Sequence, residues 1–288
     1  MMKRILITGK NSYIGTSFEK WLAKYPEKYE VNAISLRDKS WRETDFSKYD
    51  VIYHVAGIAH RKETDKNREL YYKVNRDLAY EVAKKSKQDG VGQFIFLSTM
   101  SVYGLENGVI YEDTPLKPKN NYGKSKLQAE ELIKALDDDS FKIAILRPPM
   151  VYGKGCKGNY PRLAKLAVKT PVFPDIDNQR SMIYIDNLSE FVRALIDNSS
   201  NGFYLPQNSE YVNTSEIVRL IAEIHDKKII MTKLFNPLIM LLNISILNKV
   251  FGDLIYDKDL SERANNYHVC EFKESIYITE KLEDKKAD

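Results

Sequence analysis

The first half of the chain alternates short apolar runs with longer amphipathic segments, and this alternation constrains the fold more than any other feature. Residues 3–8, 30–36, 51–55, 94–98 and 143–147 predict strands, and several are apolar on successive residues, as expected when both faces of a sheet are covered. Residues 13–25, 69–88 and 122–136 between them show helical periodicity. Such strands are joined by right-handed crossovers, so the sequence predicts an α/β fold with a doubly wound parallel sheet.

After residue 155 the alternation becomes less regular. Residues 161–169 predict a short helix, residues 181–186 a strand, and Asn213-Thr-Ser-Glu216 an N-cap that opens a helix over 215–225. We therefore predict a sheet domain over 1–155 that also uses about 175–200. A smaller, partly interleaved α/β lobe would comprise 156–174 and 201–288. Because ligands of doubly wound sheets bind beyond the carboxyl ends of the strands, this lobe would close over the binding crevice.

Composition excludes several classes of protein. The net charge of +4 is small for 288 residues, and the basic residues are interleaved with acids, which does not indicate a nucleic-acid partner. Cys156 and Cys270 form neither a disulfide framework nor a metal-ligand pattern. His54 is expected to be structural, whereas His60, His225 and His268 are expected at the surface or in packing, so no metal site is predicted. Cys156 is expected to be an inert small side chain rather than part of a substrate site.

No targeting or membrane-spanning segment is expected. The N-terminus turns polar after three apolar residues, too soon for a secretory signal. Residues 234–251 are the one membrane candidate, but they contain Pro237 and several polar side chains and are shorter than a clean span. We favour a buried helical segment or lobe surface there over a membrane-contacting patch, and we expect a cytoplasmic protein.

A glycine-containing turn joins the first strand to the first helix. It reads Gly9-Lys-Asn-Ser12-Tyr-Ile-Gly15, with Ser12 where a middle glycine would be expected. Glycine lets the backbone approach a pyrophosphate, and a helix N-terminus supplies amide donors and a favourable dipole. The alternative is a plain strand–helix turn. The position of the turn favours a dinucleotide site formed by Gly9, Ser12, Tyr13, Ile14 and Gly15.

The end of the second strand bears on the choice of dinucleotide. An NAD site usually places an acid there to bond the adenosine ribose. Ser35 stands at that position, and Arg37 follows two residues later. A guanidinium without the acid suits a 2′-phosphate, so the sequence favours NADP(H). Asp38 could still turn toward the ribose, and NAD(H) stays the alternative.

Tyr122 and Lys126 lie four residues apart on one predicted helical face, 23 residues after the hydroxyl of Thr99. A phenol ionises near pH 10, and a nearby ammonium favours the phenolate, so such a trio can transfer protons at neutral pH. The spacing alone is weak evidence, because Tyr80/Lys84 and Tyr277/Lys281 share it. Only Tyr122 opens a helix after a strand end that carries a hydroxyl.

Taken in order, these motifs resemble the extended short-chain dehydrogenase/reductase family, in its nucleotide-sugar epimerase and reductase branch. The resemblance runs from residue 3 to about residue 190 and is carried by seven motifs: Thr8-Gly9-x-x-Ser12-x-x-Gly15, Asp45-Phe46, His54-Val-Ala56-Gly57, Val74-Asn75, Ser98-Thr99-x-Ser101-Val-Tyr103-Gly104, Tyr122-x-x-x-Lys126 and Leu146-Arg147-Pro148. It implies a Rossmann domain for the parallel sheet and a substrate role for the lobe.

The resemblance also implies roles for individual residues. Cofactor contacts would come from Asp45 and Phe46 at the adenine, Val55, Ala56 and Gly57 behind the dinucleotide, Asn75, and Pro148 near the nicotinamide. Thr99, Tyr122 and Lys126 would form the catalytic set, with Lys126 also bonding the nicotinamide ribose and lowering the pKa of Tyr122. Substrate contacts would come from Ser101, Tyr103, Asn159 and Arg180. Arg263 is a weaker candidate for a second phosphate contact, and a solvated cation is the favoured interpretation there.

The implied reaction is hydride and proton transfer at a sugar ketone. Dehydratases of the family need an Asp-Glu pair directly after the Thr, whereas this chain has Met100 and Ser101. We expect reduction of the C4 ketone of a UDP-4-keto-6-deoxy-N-acetylhexosamine in surface-polysaccharide biosynthesis. The alternatives are a UDP-sugar 4-epimerase with bound NAD and, less favoured, a non-catalytic dinucleotide sensor. A homodimer built on residues 69–88 and 122–136 is also expected.

Overall fold

Parallel strands form the central sheet in the computed structural model, which describes residues 2–59, 61–241, 245–261 and 267–281. The strands of the described residues are β1 (Lys3–Thr8), β2 (Tyr29–Ile34), β3 (Val51–His54), β4 (Gln93–Leu97), β5 (Gly108–Ile110), β6 (Lys142–Leu146), β7 (Met150–Tyr152), β8 (Val172–Pro174), β9 (Met182–Tyr184), β10 (Gly202–Tyr204), β11 (Ile230–Thr232) and β12 (Leu254–Tyr256). Six of them form the central sheet in the order β10-β6-β4-β3-β1-β2, all parallel. The predicted doubly wound α/β fold is confirmed.

Helices connect these strands. Over the same residues they are α1 (Tyr13–Leu22), α2 (Arg68–Tyr71), α3 (Leu78–Gln88), α4 (Asn121–Lys134), α5 (Asn159–Lys169), α6 (Ile185–Asp197), α7 (Thr214–Ile224), α8 (Asn236–Leu241), α9 (Ser245–Phe251), α10 (Lys258–Ser261) and α11 (Phe272–Glu280). The helix predicted over 69–88 is divided, because a π-helical stretch, Tyr72–Asp77, separates α2 from α3. The predicted N-cap of α7 is confirmed, since Asn213 accepts from the Glu216 N–H at 3.0 Å.

Both faces of the central sheet are covered, as the uninterrupted apolar strands predicted. In β1, Ile5 and Ile7 point to the face covered by α1 and α6, whereas Leu6 points to the face covered by α3 and α4. All three side chains are fully buried. The helices expected to form a dimer interface, α3 and α4, contact each other on this second face. The homodimer itself stays a prediction.

A second group of elements packs beyond the carboxyl ends of the sheet. It contains three two-stranded pairs, β5–β12, β7–β9 and β8–β11, together with α5, α7 and α11. β10 pairs with β6, so the central sheet includes residues 202–204, which the sequence had assigned to the lobe. The rest of the division into two domains stays a prediction.

The described parts of the membrane candidate, residues 234–241 and 245–251, belong to the second group of elements. The segment contains α8 and α9, and the side chains of Leu234 and Leu241 are 79% and 81% exposed. Within the described residues, no helix is both long enough and apolar enough to span a bilayer.

Candidate active site

The strand order reverses between β1 and β3, and this is where a doubly wound sheet opens a ligand crevice at its carboxyl edge. Thr8 and His54 end these two strands side by side, with Thr8 Oγ1 2.8 Å from His54 Nδ1. Burial lowers the pKa of His54 to about 3, so the imidazole is neutral at pH 7. His54 also lies against the rings of Phe94 and Phe96, as expected for a structural residue.

The turn between β1 and α1 packs tightly against the residues that follow β3. Gly9 has φ of +123°, and a Cβ there would lie 2.9 Å from the Ala56 nitrogen and 3.0 Å from Val55 Cγ2. The sequence can therefore hold only glycine here. Ser12 caps α1 by accepting from the Gly15 N–H at 3.1 Å. The serine that replaces a family glycine thus satisfies one of the free amides of the helix.

Tyr13 and Ile14, the other two residues predicted at this turn, have partly buried side chains. Ile14 packs against both the core of the central sheet and that of the second group, whereas Tyr13 packs against the second group. The Tyr13 hydroxyl is buried without a hydrogen-bond partner among the described residues, and burial raises the pKa of Tyr13 far above its ordinary value. Any contact with a phosphate would therefore come from their backbone amides at the start of α1.

The end of β2 presents a basic, exposed loop. Ser35 accepts from the Arg37 N–H at 3.3 Å, and the Arg37 side chain is exposed. Asp38 accepts from both the N–H and the hydroxyl of Ser40, which lowers the pKa of Asp38. Within the described residues, Arg37 makes no ion pair with Asp38 or any other acid, so its guanidinium is available to an anion.

The adenine contacts implied by the resemblance fit only in part. Asp45 is exposed, but it accepts from the N–H and hydroxyl of Ser47, at 3.0 and 2.6 Å. Phe46 is fully buried, stacks on Trp41, and donates its N–H to Asp89 at 3.1 Å. In contrast to the expectation, Phe46 leaves no exposed atom for an adenine, because its large side chain is part of the core.

Thr99, Ser101 and Tyr122 meet where β4 ends. The Thr99 side chain lies close enough to Tyr122 to lower the pKa of the phenol. Thr99 Oγ1 also donates to Ser101 Oγ at 3.2 Å and accepts from the Ser101 N–H at 3.1 Å. A Cβ at Gly123 would lie 2.7 Å from the backbone oxygen of Ser101. The start of α4 and the turn after β4 therefore pack too closely for any side chain at residue 123.

Lys126 occupies the base of the same site. Its Nζ donates to the Leu97 oxygen at 2.8 Å and lies 4.5 Å from the centroid of Phe96. A Cβ at Gly57 would stand 3.4 Å from this Nζ and 3.1 Å from Asn75 Oδ1. Gly57, which has no side chain, therefore lies directly against the Lys126 ammonium and the Asn75 amide.

Asn75 joins the loop after β3 to α4. It lies on the π-helical stretch and is fully buried. Its Oδ1 accepts from the Ile58 N–H at 2.7 Å, while its Nδ2 donates to the Ile58 oxygen at 3.1 Å and to Ser125 Oγ at 3.2 Å. The wider π turn is a common device at functional sites. Asn75 thereby shapes the loop that carries Ala56 and Gly57, and its contact with the cofactor stays a prediction.

The resemblance implied a lowered pKa for Tyr122, whereas in this structure the pKa of Tyr122 is raised. Burial raises the pKa of Tyr122, and the nearby Thr99 side chain opposes this shift. Burial lowers the pKa of Lys126 to about 8. Lys126 is not among the groups that shift the pKa of Tyr122 here, so the lowering that the resemblance implied stays a prediction for the cofactor-loaded site.

A buried ion pair that the sequence did not reveal anchors α4 from behind. Arg147 donates to both carboxylate oxygens of Glu130, at 2.6 Å for the shortest contact, and to the Tyr103 hydroxyl at 3.0 Å. Ser98 also donates to Glu130. Glu130 lies four residues after Lys126 on the same helical face, a spacing that could have identified it.

The four candidate substrate residues differ in their exposure. Ser101 is partly exposed beside Thr99, whereas Tyr103 is buried against Arg147. Asn159 is exposed at the start of α5. Arg180 donates to the Gly252 oxygen at 2.8 Å, and burial lowers its pKa.

Pro148 is buried, and its oxygen accepts from the Met100 N–H at 3.0 Å, which ties the ends of β4 and β6 together. The remaining tyrosine–lysine pairs lie elsewhere: Tyr80 and Lys84 are on α3, and Lys281 Nζ lies 6.0 Å from the ring of the exposed Tyr277. His60 and Arg263 lie outside the described residues. No cluster of three metal-ligating side chains occurs in the part of the chain that the structure describes.

Comparisons with known proteins identify the class of this site. Residues 5–205 match the NAD dependent epimerase/dehydratase family. A UDP-glucose 4-epimerase of Vibrio cholerae is 34% identical over 254 residues, which span 79% of this chain and 77% of that protein. The N-acetyl-alpha-D-glucosaminyl-diphospho-ditrans,octacis-undecaprenol 4-epimerase of Escherichia coli O157:H7 is 29% identical over 88% of this chain and 82% of that protein.

Solved structures agree on the fold. The UDP-glucuronic acid 4-epimerase of Bacillus cereus, solved with UDP-glucuronic acid and NAD, superposes with a TM-score of 0.75 at 23% identity, covering 96% of this chain and 97% of that chain. The geometry and these matches define a nicotinamide-dependent enzyme on a Rossmann fold. The chain belongs to the NAD-dependent epimerase/dehydratase family.

Proposed function

We propose that this enzyme is a 4-epimerase of a UDP-sugar. The observation that carries the proposal is the meeting of Thr99, Tyr122 and Lys126 at the carboxyl edge of the sheet, beside the space left by Gly57. Neither Met100 nor Ser101 supplies the carboxylates that dehydration would need. Two relatives along most of the chain carry the name of a 4-epimerase, which supports this reaction at C4.

The residues around the crevice fit a nicotinamide dinucleotide. Gly9 makes room for the pyrophosphate, the start of α1 supplies amides, and Lys126 and Asn75 border the ribose space at Gly57. When bound, the nicotinamide would accept a hydride from a sugar carbon and return it. Everything else in the reaction is proton transfer and positioning by side chains of this chain.

Tyr122 performs the proton transfer in this proposal. Its phenolate takes the proton of the C4 hydroxyl as C4 loses hydride, which leaves a 4-ketone. After the sugar turns over, Tyr122 returns the proton to the C4 oxygen as hydride arrives on the opposite face. Thr99, whose side chain lies close enough to lower the pKa of Tyr122, would hold the C4 oxygen in line. Lys126 would supply the positive charge that makes the phenolate accessible.

A second candidate, NADPH-dependent reduction of a UDP-4-keto-6-deoxy sugar, is favoured by one feature. Arg37 is exposed without an acidic partner in the described residues, and Ser35 stands where an NAD site usually has an acid. A reductase needs a cofactor that leaves after each turnover, and a 2′-phosphate contact with Arg37 suits exchangeable NADPH. A spore coat polysaccharide biosynthesis protein of Bacillus subtilis, 29% identical over 77% of the chain, is consistent with surface-polysaccharide synthesis for either reaction.

Mass spectrometry of a panel of UDP-sugars, each incubated with NAD, NADH or NADPH, distinguishes these functions. An epimerase converts a sugar to its C4 epimer without a change in mass and copurifies with NAD. A reductase consumes NADPH and yields a product two mass units heavier than its keto substrate. Tight dinucleotide binding with no turnover of any sugar in the panel would contradict both and favour a non-catalytic sensor.

A further inference from the structure

The catalytic helix has a second cap that comes from a distant loop. Glu63 lies between β3 and α2, and its Oε1 accepts from the Tyr122 N–H at 3.0 Å. Its Oε2 accepts from the Asn121 N–H at 3.0 Å and from Asn121 Nδ2 at 2.9 Å. Asn120, the local cap, accepts from the Gly123 N–H at 2.8 Å. The free amides at the start of α4 are therefore all taken by the protein itself.

The loop that carries Glu63 is itself held at several points. The Tyr71 hydroxyl donates to the Arg61 oxygen at 3.0 Å, and the Thr64 N–H donates to Asn67 Oδ1 at 2.9 Å. At the start of the loop, Asn75 bonds both the N–H and the oxygen of Ile58. A glutamate on a loop anchored in this way can hold a helix in place, rather than merely follow it.

The Glu63 carboxylate binds the backbone of Tyr122, which transfers the proton in the proposed reaction. A negative charge at a helix N-terminus is favourable, and hydrogen bonds to an ionised acceptor are about twice as strong as neutral ones. One of these bonds ends on the backbone nitrogen of Tyr122, directly beside the carbon that bears the phenol. The loop also follows Ala56 and Gly57, which border the cofactor crevice. Glu63 therefore links the cofactor side of the site to the tyrosine side.

We propose that Glu63 is a positioning residue that fixes the Tyr122 phenol relative to bound cofactor and sugar. The inference rests on the proposed role of Tyr122. No local sequence pattern indicates it, because Glu63 lies 58 and 59 residues from the amides that it bonds.

The test replaces Glu63 with Ala and with Gln, and uses Glu69→Ala, an exposed acid of α2, as the matched control. A misplacement of about 1 Å costs on the order of 100-fold in rate, so we expect kcat to fall roughly 10- to 100-fold in Glu63→Ala. The KM for the sugar and the Kd for the cofactor should change less than about threefold, since Glu63 contacts the helix rather than a ligand. Glu63→Gln, which keeps the shape but loses the charge, should fall between Glu63→Ala and the wild type.

A second readout does not depend on activity. Amide hydrogen exchange at Asn121 and Tyr122 should accelerate in Glu63→Ala and not in Glu69→Ala, because the former loses the acceptors of these two amides. Formate, which can fill the vacated carboxylate site, should restore part of kcat in Glu63→Ala, whereas chloride at equal ionic strength should not. If Glu63→Ala is poorly folded, the same measurements on Glu63→Gln decide the question.

Wild-type kcat in Glu63→Ala, or unchanged exchange at Asn121 and Tyr122, would overturn the inference. A fall in kcat that merely follows a lower fraction of folded protein would do the same. Tyr122→Phe separates this failure from that of the proposed function. If Tyr122→Phe is inactive and Glu63→Ala is normal, only the positioning role is lost. If Tyr122→Phe is active, the proposed reaction itself fails.

Discussion

The N-termini of α1 and α4 both lie near the carboxyl edge of the central sheet, yet they are capped in different ways. α1 has a neutral cap, the Ser12 hydroxyl, and no acid in its first turn. α4 is capped by Asn120 and by the Glu63 carboxylate. The start of α1 therefore carries no negative charge of its own, whereas that of α4 is neutralised by a carboxylate of the chain. In our proposals the first terminus receives the phosphates of the cofactor and the second holds Tyr122 in place.

The largest effect is expected from substitution of Tyr122, which lies on α4. Tyr122→Phe should lower kcat about a thousandfold, because general acid–base catalysis typically contributes 10²–10⁴-fold. Cofactor affinity, which depends on the α1 side of the crevice, should be nearly unchanged when measured by fluorescence titration. Tyr80→Phe, in the equally spaced pair on α3, is the matched control and should retain normal turnover.

The next largest effect is expected from breaking the buried ion pair between Glu130 and Arg147, which anchors α4. Glu130→Ala leaves the guanidinium of Arg147 buried without its carboxylate, and both side chains are almost fully buried. Losing one partner of such a pair costs about 3 kcal/mol or more of unfolding free energy. Chemical denaturation should show this loss, while Glu131→Ala, the exposed neighbour, should stay within about 0.5 kcal/mol of wild type. Equal stability of the two variants would show that α4 needs no anchor there.

Ser12→Glu gives α1 the kind of cap that α4 has. The added carboxylate would face the pyrophosphate of the cofactor, so we expect the Kd for the dinucleotide to rise about 30-fold, or about 2 kcal/mol. Ser12→Gly should bind within about twofold of wild type, because glycine caps a helix nearly as well. Unchanged affinity in Ser12→Glu, measured by calorimetry, would mean that this helix end does not receive the phosphates.

The smallest effect concerns the charge of Lys126 and the way the unfolding free energy changes with pH. The pKa of Lys126 is lowered from 10.5 to about 8, so between these values the unfolded chain holds more protons than the folded one. The unfolding free energy therefore rises with pH through this window. Relative to Lys126→Met, the cofactor-free wild type should gain about 2 kcal/mol between pH 7 and 9.5. A flat difference across this range would place the folded pKa near its ordinary value.

Much of this architecture could be predicted from residue patterns, because it depends on local signals. Continuous apolar runs predicted the five central-sheet strands before residue 150, and the turn at Gly9 predicted the helix that follows the first strand. What escaped prediction depends on long-range contacts. Glu63, the partnership of Glu130 with Arg147, and the burial of Phe46 each require knowledge of which distant segments meet.

In chain order β10 is the last strand of the central sheet, and this order has a consequence for folding while the chain is being synthesised. β6 lies second from one edge of the central sheet, and among the described residues its outer side is paired by Gly202–Tyr204 alone. While the ribosome is still making residues 147–201, the emerging domain would present β6 as an open strand edge. Unpaired edges of this kind invite wrong pairing with other chains. Nascent chains that stop short of residue 202 should therefore be the ones that depend most on chaperones.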